Sequence, residues 1–129
     1  MRQNVSSGSP YEPVFGFSRA VRIGHMVAVA GTVGWKAEGS ISASDGAYVQ
    51  ARQTIATIEK ALAEAGAGLS DVIRTRIYIT DLAFTDDVAR AHREAFGDIR
   101  PASTLLCVKA LASPDMLVEI EADAVLEGA

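Results

Sequence analysis

The chain has 129 residues, of which 49% are hydrophobic and 22% are charged, and its formal net charge at pH 7 is −4. This length suits one globular domain with its own core, so residues 1–129 are predicted to form a single domain. The acidic balance and the lack of Lys/Arg runs argue against nucleic-acid partners, and no apolar run reaches the roughly 18 residues that a membrane helix needs. One cysteine and an N-terminus without an apolar leader favour a cytoplasmic protein.

The first part of the chain predicts an irregular segment followed by a hairpin. Residues 1–14 are rich in Ser, Gly and Pro, which favours irregular structure. Residues 15–23 alternate apolar side chains with small or polar ones, as a half-buried strand does. Residues 26–31 contain no polar side chain and predict a strand covered on both faces, joined to the first by a turn at Gly24-His25.

Two amphipathic helices with a strand between them come next. The first is predicted over residues 44–65, where apolar side chains recur every three or four positions, and Gly66 marks its end. The second is predicted over residues 85–97, where Thr85 and two aspartates form an acidic first turn. Between the helices, residues 72–80 alternate as a strand with Ile73, Thr75, Ile77 and Ile79 on one face and Arg74, Arg76 and Tyr78 on the other.

The stretch from Ile99 to Leu126 predicts two further strands joined by a turn. Residues 103–111 are rich in Leu, Val and Cys, and residues 112–115 contain the Ser, Pro and Asp that turns favour. The second strand alternates strictly. Its apolar side chains are Val118, Ile120, Ala122, Ala124 and Leu126, and the carboxylates that point the other way are Glu119, Glu121 and Asp123.

This order of elements predicts an α+β fold in which two helices cover one face of a sheet. The uncovered face is predicted to hold apolar side chains among charged ones, and its apolar members are Leu105, Cys107, Leu111 and Leu117. Because a monomer would leave this half-apolar face in water, packing against copies of the same chain would bury it. We therefore expect a homo-oligomer whose clefts lie between subunits.

Several short motifs over residues 17–126 resemble the reactive-intermediate deaminase (Rid, RidA-like) superfamily, once described as endoribonuclease L-PSP or translation inhibitor. They are Phe17-Ser18-Arg19-Ala20-Val21, Val29-Ala30-Gly31, Ser70-Asp71-Val72, Thr80-Asp81-Leu82, Arg100-Pro101-Ala102-Ser103-Thr104 and Val118-Glu119-Ile120-Glu121-Ala122. The resemblance implies a chorismate-mutase-like fold, with a mixed sheet covered on one face by two helices, in a homotrimer with a small-molecule cleft at each subunit interface. Active members hydrolyse reactive enamines and imines to keto acids and ammonia, without a metal or an organic cofactor.

The resemblance also assigns residues to the substrate pocket. Glu119 matches the acidic residue associated with water activation, which would make it a general base. Ala30 and Gly31 match the backbone that lines the pocket, and Phe17 stands where the family has a tyrosine. The alternative is that Glu119 is a solvated strand residue, or one paired across the sheet with Arg74 or Arg76.

One expected pocket residue is replaced in this chain. The family's arginine, which grips the substrate carboxylate, corresponds to Ser103, and Thr104 follows it. These two hydroxyls either contact a ligand or satisfy backbone groups at the start of a strand. The chain thus resembles a branch without this arginine, and it stays open whether another one takes over its role. The candidates are Arg19, Arg74, Arg76, Arg90 and Arg100.

Other residues with possible chemistry have simpler interpretations. His92 borders the apolar stripe of the second predicted helix, so we expect a hydrogen-bonded packing histidine. Cys107 has no evident partner that would activate it, and a buried, small apolar role is predicted. One cysteine and two separated histidines give no metal-ligand spacing.

Three functions are compatible with these residues. The first is hydrolysis of an imine, an enamine or a related small substrate in the intersubunit cleft. The second is binding of a small metabolite in the same cleft without turnover. The third is the older ribonuclease assignment, which the acidic charge argues against.

Overall fold

Six β-strands, three α-helices and three short 3₁₀ turns make up the regular structure of residues 1–127, the part of the chain that the computed structural model describes. The strands are β1 (Arg2–Val5), β2 (Ala20–Ile23), β3 (Met26–Val33), β4 (Val72–Ile79), β5 (Ala102–Cys107) and β6 (Val118–Val125). The helices are α1 (Tyr11–Phe15), α2 (Ala47–Glu64) and α3 (Thr85–Phe96).

All six strands belong to one mixed sheet in the order β1-β2-β3-β6-β4-β5. β4 and β5 run parallel, and the other neighbouring pairs are antiparallel. α2 packs against β3 and β6, and α3 packs against α2, so the two long helices cover one face. The predicted α+β fold is confirmed. The two strands of the C-terminal stretch do not pair with each other, because β4 lies between them.

β6 is an inner strand of the sheet, and its predicted alternation is confirmed. Val118, Ile120 and Ala124 are completely buried on the helix-covered face. Glu119 and Glu121 point to the opposite face and are half-buried. One strand thus contributes both to the core and to a polar surface, as its period of two requires.

Both long helices lie close to the predicted positions. α2 begins at Ala47, because residues 43–45 form a 3₁₀ turn, and Gly46 at φ 86° separates the two. Gly66 follows the end of α2 at φ 84°, as its predicted stop role requires. α3 buries Val88, Ala91 and Phe96 from the predicted stripe. Within residues 1–127, no helix is both long enough and apolar enough to cross a membrane.

The prediction of irregular structure over residues 1–14 holds for residues 6–10 but is wrong for residues 2–5 and 11–14. β1 pairs with β2 at the edge of the sheet, and α1 follows. β1 exposes three of its four residues, so it has no apolar alternation that could be recognised. The strand predicted over residues 15–23 is shortened to β2, because α1 extends to Phe15 and Gly16 ends it at φ 78°.

A bulge changes the predicted faces of β4, and β3 is less buried than predicted. A bulge between Val72 and Arg74 turns Ile73 outward, where it is 52% exposed, and Val72 takes its place in the core. In β3, Val27 and Val29 are buried while their neighbours Met26 and Ala28 are exposed. The prediction that β3 is covered on both faces is therefore wrong for the single chain.

The predicted face of β5 is reversed. Leu105 pairs with the buried Ile77 of β4 and packs against the core, so its side chain lies on the helix-covered side. Cys107 has the same parity but is exposed at the sheet edge, so its predicted burial is wrong. Leu117 is buried in the core. The register of the parallel pairing with β4 decides which side chains of β5 face the helices. The residues of β5 alone do not indicate this.

The open face, opposite α2 and α3, combines a polar centre with apolar margins. Arg76 Nη1 donates to Glu121 Oε1 at 3.0 Å and to Asp123 Oδ2 at 3.3 Å, and Tyr78 donates its hydroxyl hydrogen to Glu121 Oε2 at 3.2 Å. Exposed apolar side chains flank this network at Ile23, Met26 and Leu106.

Gln50, on α2, ties together chain segments that are distant in sequence. Its side-chain amide donates to the carbonyl oxygens of Ser42 and Asp115 at 2.9 and 2.7 Å. Its Oε1 accepts from the backbone N–H of Leu117 at 2.9 Å. Gln50 is completely buried, so these bonds satisfy groups that would otherwise lack partners where α2 meets the start of β6.

We expect Gln50→Leu to lower the free energy of unfolding by about 2–4 kcal/mol, because each buried polar group left without a partner costs about 1–3 kcal/mol. Chemical denaturation would measure this loss. Gln53→Leu, one turn away, is the matched control, because Gln53 Oε1 has no hydrogen-bond partner in the described chain. Equal effects of the two substitutions would contradict the proposed role of Gln50.

Candidate functional site

A cleft of about 350 Å³ opens where the end of β3 and the start of β6 meet α1 and the segment around Trp35. Four of the predicted site residues line it together: Phe17, Ala30, Gly31 and Glu119. They come from three separate parts of the chain, and the fold brings them to one place.

Gly31 makes room for Glu119 in this cleft. A Cβ atom at Gly31 would collide with the Glu119 carboxylate. The register between β3 and β6 shifts between Val29 and Thr32, so Gly31 lies at an irregularity of the strand pair. Glycine at this position therefore lets the carboxylate approach the backbone, and a larger residue would displace the end of the Glu119 side chain.

Glu119 is the titratable carboxylate of the cleft. Burial raises its pKa above the ordinary value of 4.5, the charge of Glu121 adds to the increase, and Arg19 opposes it. The alternative pairing of Glu119 with an arginine across the sheet does not occur, because Arg76 pairs with Glu121 and Asp123. Glu119 is thus better able to hold a proton than an ordinary surface carboxylate.

Arg19 is the second charged residue of the cleft, and it is 6% exposed. Its Nη1 donates to the Gly31 carbonyl oxygen at 2.5 Å and to Thr32 Oγ1 at 2.9 Å, and its Nε donates to Ser7 Oγ at 3.4 Å. Burial lowers the pKa of Arg19, while Glu12 and Glu119 oppose this effect. The guanidinium holds the irregular end of β3 in place.

Glu12, on α1, is the counter-charge of Arg19. Its Oε2 lies 4.0 Å from Arg19 Nε and accepts hydrogen bonds from the Ser7 hydroxyl and N–H at 2.6 and 3.1 Å. Burial tends to raise the pKa of Glu12, but these hydrogen bonds and Arg19 lower it overall. Sequence reasoning missed Glu12, because α1 itself was not predicted. The sequence offers Arg19 only as one of five arginine candidates.

Aromatic side chains form one wall of the cleft. Tyr11 lies between Phe15 and Trp35, with ring centroids 6.3 and 6.4 Å away and interplanar angles of 45°. Phe17 contributes a fourth ring, and the Arg19 guanidinium lies 5.4 Å from its centroid. The wall joins α1 to the segment after β3, so only the fold assembles it.

Ser103 and Thr104 do not line this cleft. Both lie on β5 at the far edge of the sheet, which β4 separates from β6. Thr75 Oγ1 donates to Ser103 Oγ at 2.8 Å and also bonds His92 Nε2 at 2.9 Å, whereas Thr104 pairs with Arg76. Within one chain these hydroxyls are distant from Glu119, and their binding role stays a prediction.

His92 is the hydrogen-bonded packing residue that the sequence predicts. Besides its bond to Thr75, its ring centroid lies 4.7 Å from that of Phe96. Burial lowers its pKa, so the imidazole is neutral at neutral pH. Within residues 1–127, no three His, Cys, Asp or Glu side chains form a group that could hold a metal ion.

A second, larger cleft of about 840 Å³ adjoins the first. The N-terminal segment, the residues after Trp35 and α2 line it, and it shares Arg19 and Trp35 with the first. Glu119 does not reach it. The carboxylates that line the larger cleft, Glu38 and Glu64, are exposed. The smaller cleft is therefore the one that contains a half-buried carboxylate suited to proton transfer.

Comparison with known proteins agrees with this architecture. Residues 8–126 match the family model described as endoribonuclease L-PSP. A crystal structure of a Mycobacterium tuberculosis member of the YjgF/YER057c/UK114 family superposes with a TM-score of 0.89 at 48% identity, covering 98% of this chain and 100% of that one. An uncharacterised protein of Streptomyces coelicolor is 41% identical over 95% of this chain and 90% of its own length. A RutC family protein of Pyrococcus abyssi is 31% identical over 90% of this chain and 91% of its own. The chain therefore belongs to the endoribonuclease L-PSP family, within the Rid superfamily that its motifs resemble.

Proposed function

We propose that the protein hydrolyses small imine- or enamine-type intermediates in the cleft that contains Glu119. The observation that carries this proposal is the position of Glu119, half-buried beside Gly31 in a concave site and without an arginine partner of its own. General acid–base catalysis needs such a carboxylate, within reach of the substrate and with a pKa raised toward the working pH.

The reaction requires only water and one group that takes up and returns a proton. The water oxygen bonds to the carbon of the protonated imine while the Glu119 carboxylate accepts one water proton, which gives a neutral tetrahedral carbinolamine. Glu119 returns this proton to the amino nitrogen, the carbon–nitrogen bond breaks, and the hydroxyl proton passes to Glu119 as the carbonyl bond forms. Glu119 then releases this proton to solvent, which balances the proton that the imine took up. One imine and one water thus become one carbonyl compound and one ammonia.

Binding without turnover is the second candidate function, and two substitutions favour it. Phe17 lacks the hydroxyl of the family's pocket tyrosine, and Ser103 lacks the charge of its arginine. Both changes keep the cleft but remove groups that would orient a reacting carboxylate substrate. A ribonuclease activity has less support, because the open face is acidic around Glu121 and Asp123.

The proposal includes a homotrimer with clefts at its subunit interfaces. In support, the open face exposes Met26 at 45%, Leu106 at 51% and Ile23 at 53%, next to an ion-paired centre. Other copies of the chain would remove these apolar side chains from water.

Light scattering at micromolar concentration should give about three times the chain mass of 13.6 kDa. Leu106→Glu should shift the mass toward the monomer, because a charge would be buried in the interface. Leu82→Glu is the matched control, since Leu82 is 67% exposed on the turn before α3. A stable monomer of the unchanged protein would contradict the trimer.

Glu119→Gln should lower turnover about 10²-fold or more, because the amide keeps the shape of the side chain but cannot carry the proton. The measurement is ammonia release from freshly generated imines, with and without a carboxylate. Glu59→Gln, on the exposed side of α2, is the control and should leave the rate unchanged. An undiminished rate for Glu119→Gln would refute the catalytic role.

The pKa of Glu119, followed by carbon NMR of its carboxyl group, should lie above 4.5 and should fall in Glu121→Gln, because the Glu121 charge contributes to the increase. The folded chain then binds this proton more tightly than the unfolded chain. The contribution of Glu119 to the free energy of unfolding should therefore decrease as the pH rises from 4.5 through the raised pKa. A Glu119 pKa at or below 4.5 would contradict the described environment.

A further inference from the structure

We propose that the cleft selects imines that carry an apolar or aromatic group and no carboxylate, bound either neutral or as the iminium cation. This inference rests on the proposed function in taking an imine as the ligand, and it adds a substrate class that the charges and rings of the cleft define.

The first argument is the surface that a ligand would touch. Tyr11, Phe15, Phe17 and Trp35 line the cleft together with apolar residues such as Val33 and Met116. The tilted arrangement of Tyr11 between Phe15 and Trp35 presents ring faces and edges to the opening. Such a wall favours an apolar or aromatic substituent, and ring faces attract a nearby cation.

The second argument is that the described residues of the chain itself supply no available positive charge to the cleft. Among the described residues that line the cleft, the charged ones are Arg19 and Glu119. Arg19 is buried, its Nη1 is engaged with Gly31 and Thr32, and Glu12 lies 4.0 Å from its Nε. With Glu12 compensating Arg19, the remaining charge of the cleft is that of Glu119, which repels a carboxylate and attracts an iminium.

The third argument is that the other arginine candidates do not line the cleft. Arg74 and Arg100 are exposed. Arg76 is paired with Glu121 and Asp123 on the open face. Arg90 lies with its guanidinium carbon 3.6 Å from the centroid of the Tyr48 ring, between the two long helices. Ser103, at the family's arginine position, offers only a hydroxyl that already accepts a hydrogen bond from Thr75.

These contacts define how a ligand would sit. The imine nitrogen, protonated or not, would lie beside the Glu119 carboxylate, and its substituent would lie against Tyr11 and Trp35. The same carboxylate would then attract the cation and exchange a proton with it. A carboxylate on the imine carbon would instead approach Glu119 in a partly buried site, where like charges repel strongly.

A matched pair of probes tests the selectivity: dihydroisoquinoline, a cyclic aromatic imine, and the same compound bearing a ring carboxylate. Calorimetric titration should give binding at least about tenfold tighter for the compound without the carboxylate. Trp35 is the single tryptophan of the chain, so quenching of tryptophan fluorescence should accompany binding in this cleft. Equal or tighter binding of the carboxylate, or binding of neither probe, would overturn the proposal.

Glu119→Gln provides a second readout that does not depend on turnover. Removing the negative charge should bring the affinities for the two probes closer together, while Glu59→Gln should leave their ratio unchanged. An unaltered ratio in Glu119→Gln would overturn the electrostatic argument. Selective binding without ammonia release from any imine would refute the proposed hydrolysis and leave the selectivity standing, so the two failures can be distinguished.

Discussion

The buried guanidinium of Arg19 is the contact on which the candidate site depends. A charge that is 6% exposed must be paired and hydrogen-bonded, and the Gly31 carbonyl oxygen, Thr32 and Glu12 provide this. Glu12 also binds Ser7, so one charge links the N-terminal segment and α1 to the end of β3. This link thus helps to hold the α1 side of the aromatic wall against the end of β3.

The two faces of the sheet differ in chemistry because the side chains of β6 alternate between them. Its apolar residues pack under α2, and its carboxylates lie on the open face, where Arg76 pairs with Glu121 and Asp123. Glu119 is the member of this row that lies at the cleft, away from that arginine. The alternation of β6 gives all three carboxylates the same orientation. The position of Glu119 at the start of the strand therefore accounts for its different electrostatic environment.

The chemistry of the cleft departs from the pattern that the family motifs imply. The resemblance places the family's carboxylate-binding arginine at Ser103, whose hydroxyl accepts a hydrogen bond from Thr75. The cleft instead has aromatic surface, one compensated arginine and one free carboxylate. This balance of charge favours a ligand that brings a positive or neutral nitrogen, and family membership alone would have suggested an anion.

The sequence by itself determined the two long helices, the alternation of β6, the α+β class and the family, because these depend on local periodicity and on short motifs. It also identified Phe17, Ala30, Gly31 and Glu119, which lie in the matching motifs and meet in one cleft. Only the tertiary structure decided which face Leu105 occupies, that α1 exists, and that Arg19 is held by Glu12. Bulges and strand pairing set these features, and a shift of one residue exchanges the two faces of a strand. Contacts between segments distant in sequence leave no periodic signal in either segment, so the aromatic wall and the charge balance of the cleft could be recognised only in the fold.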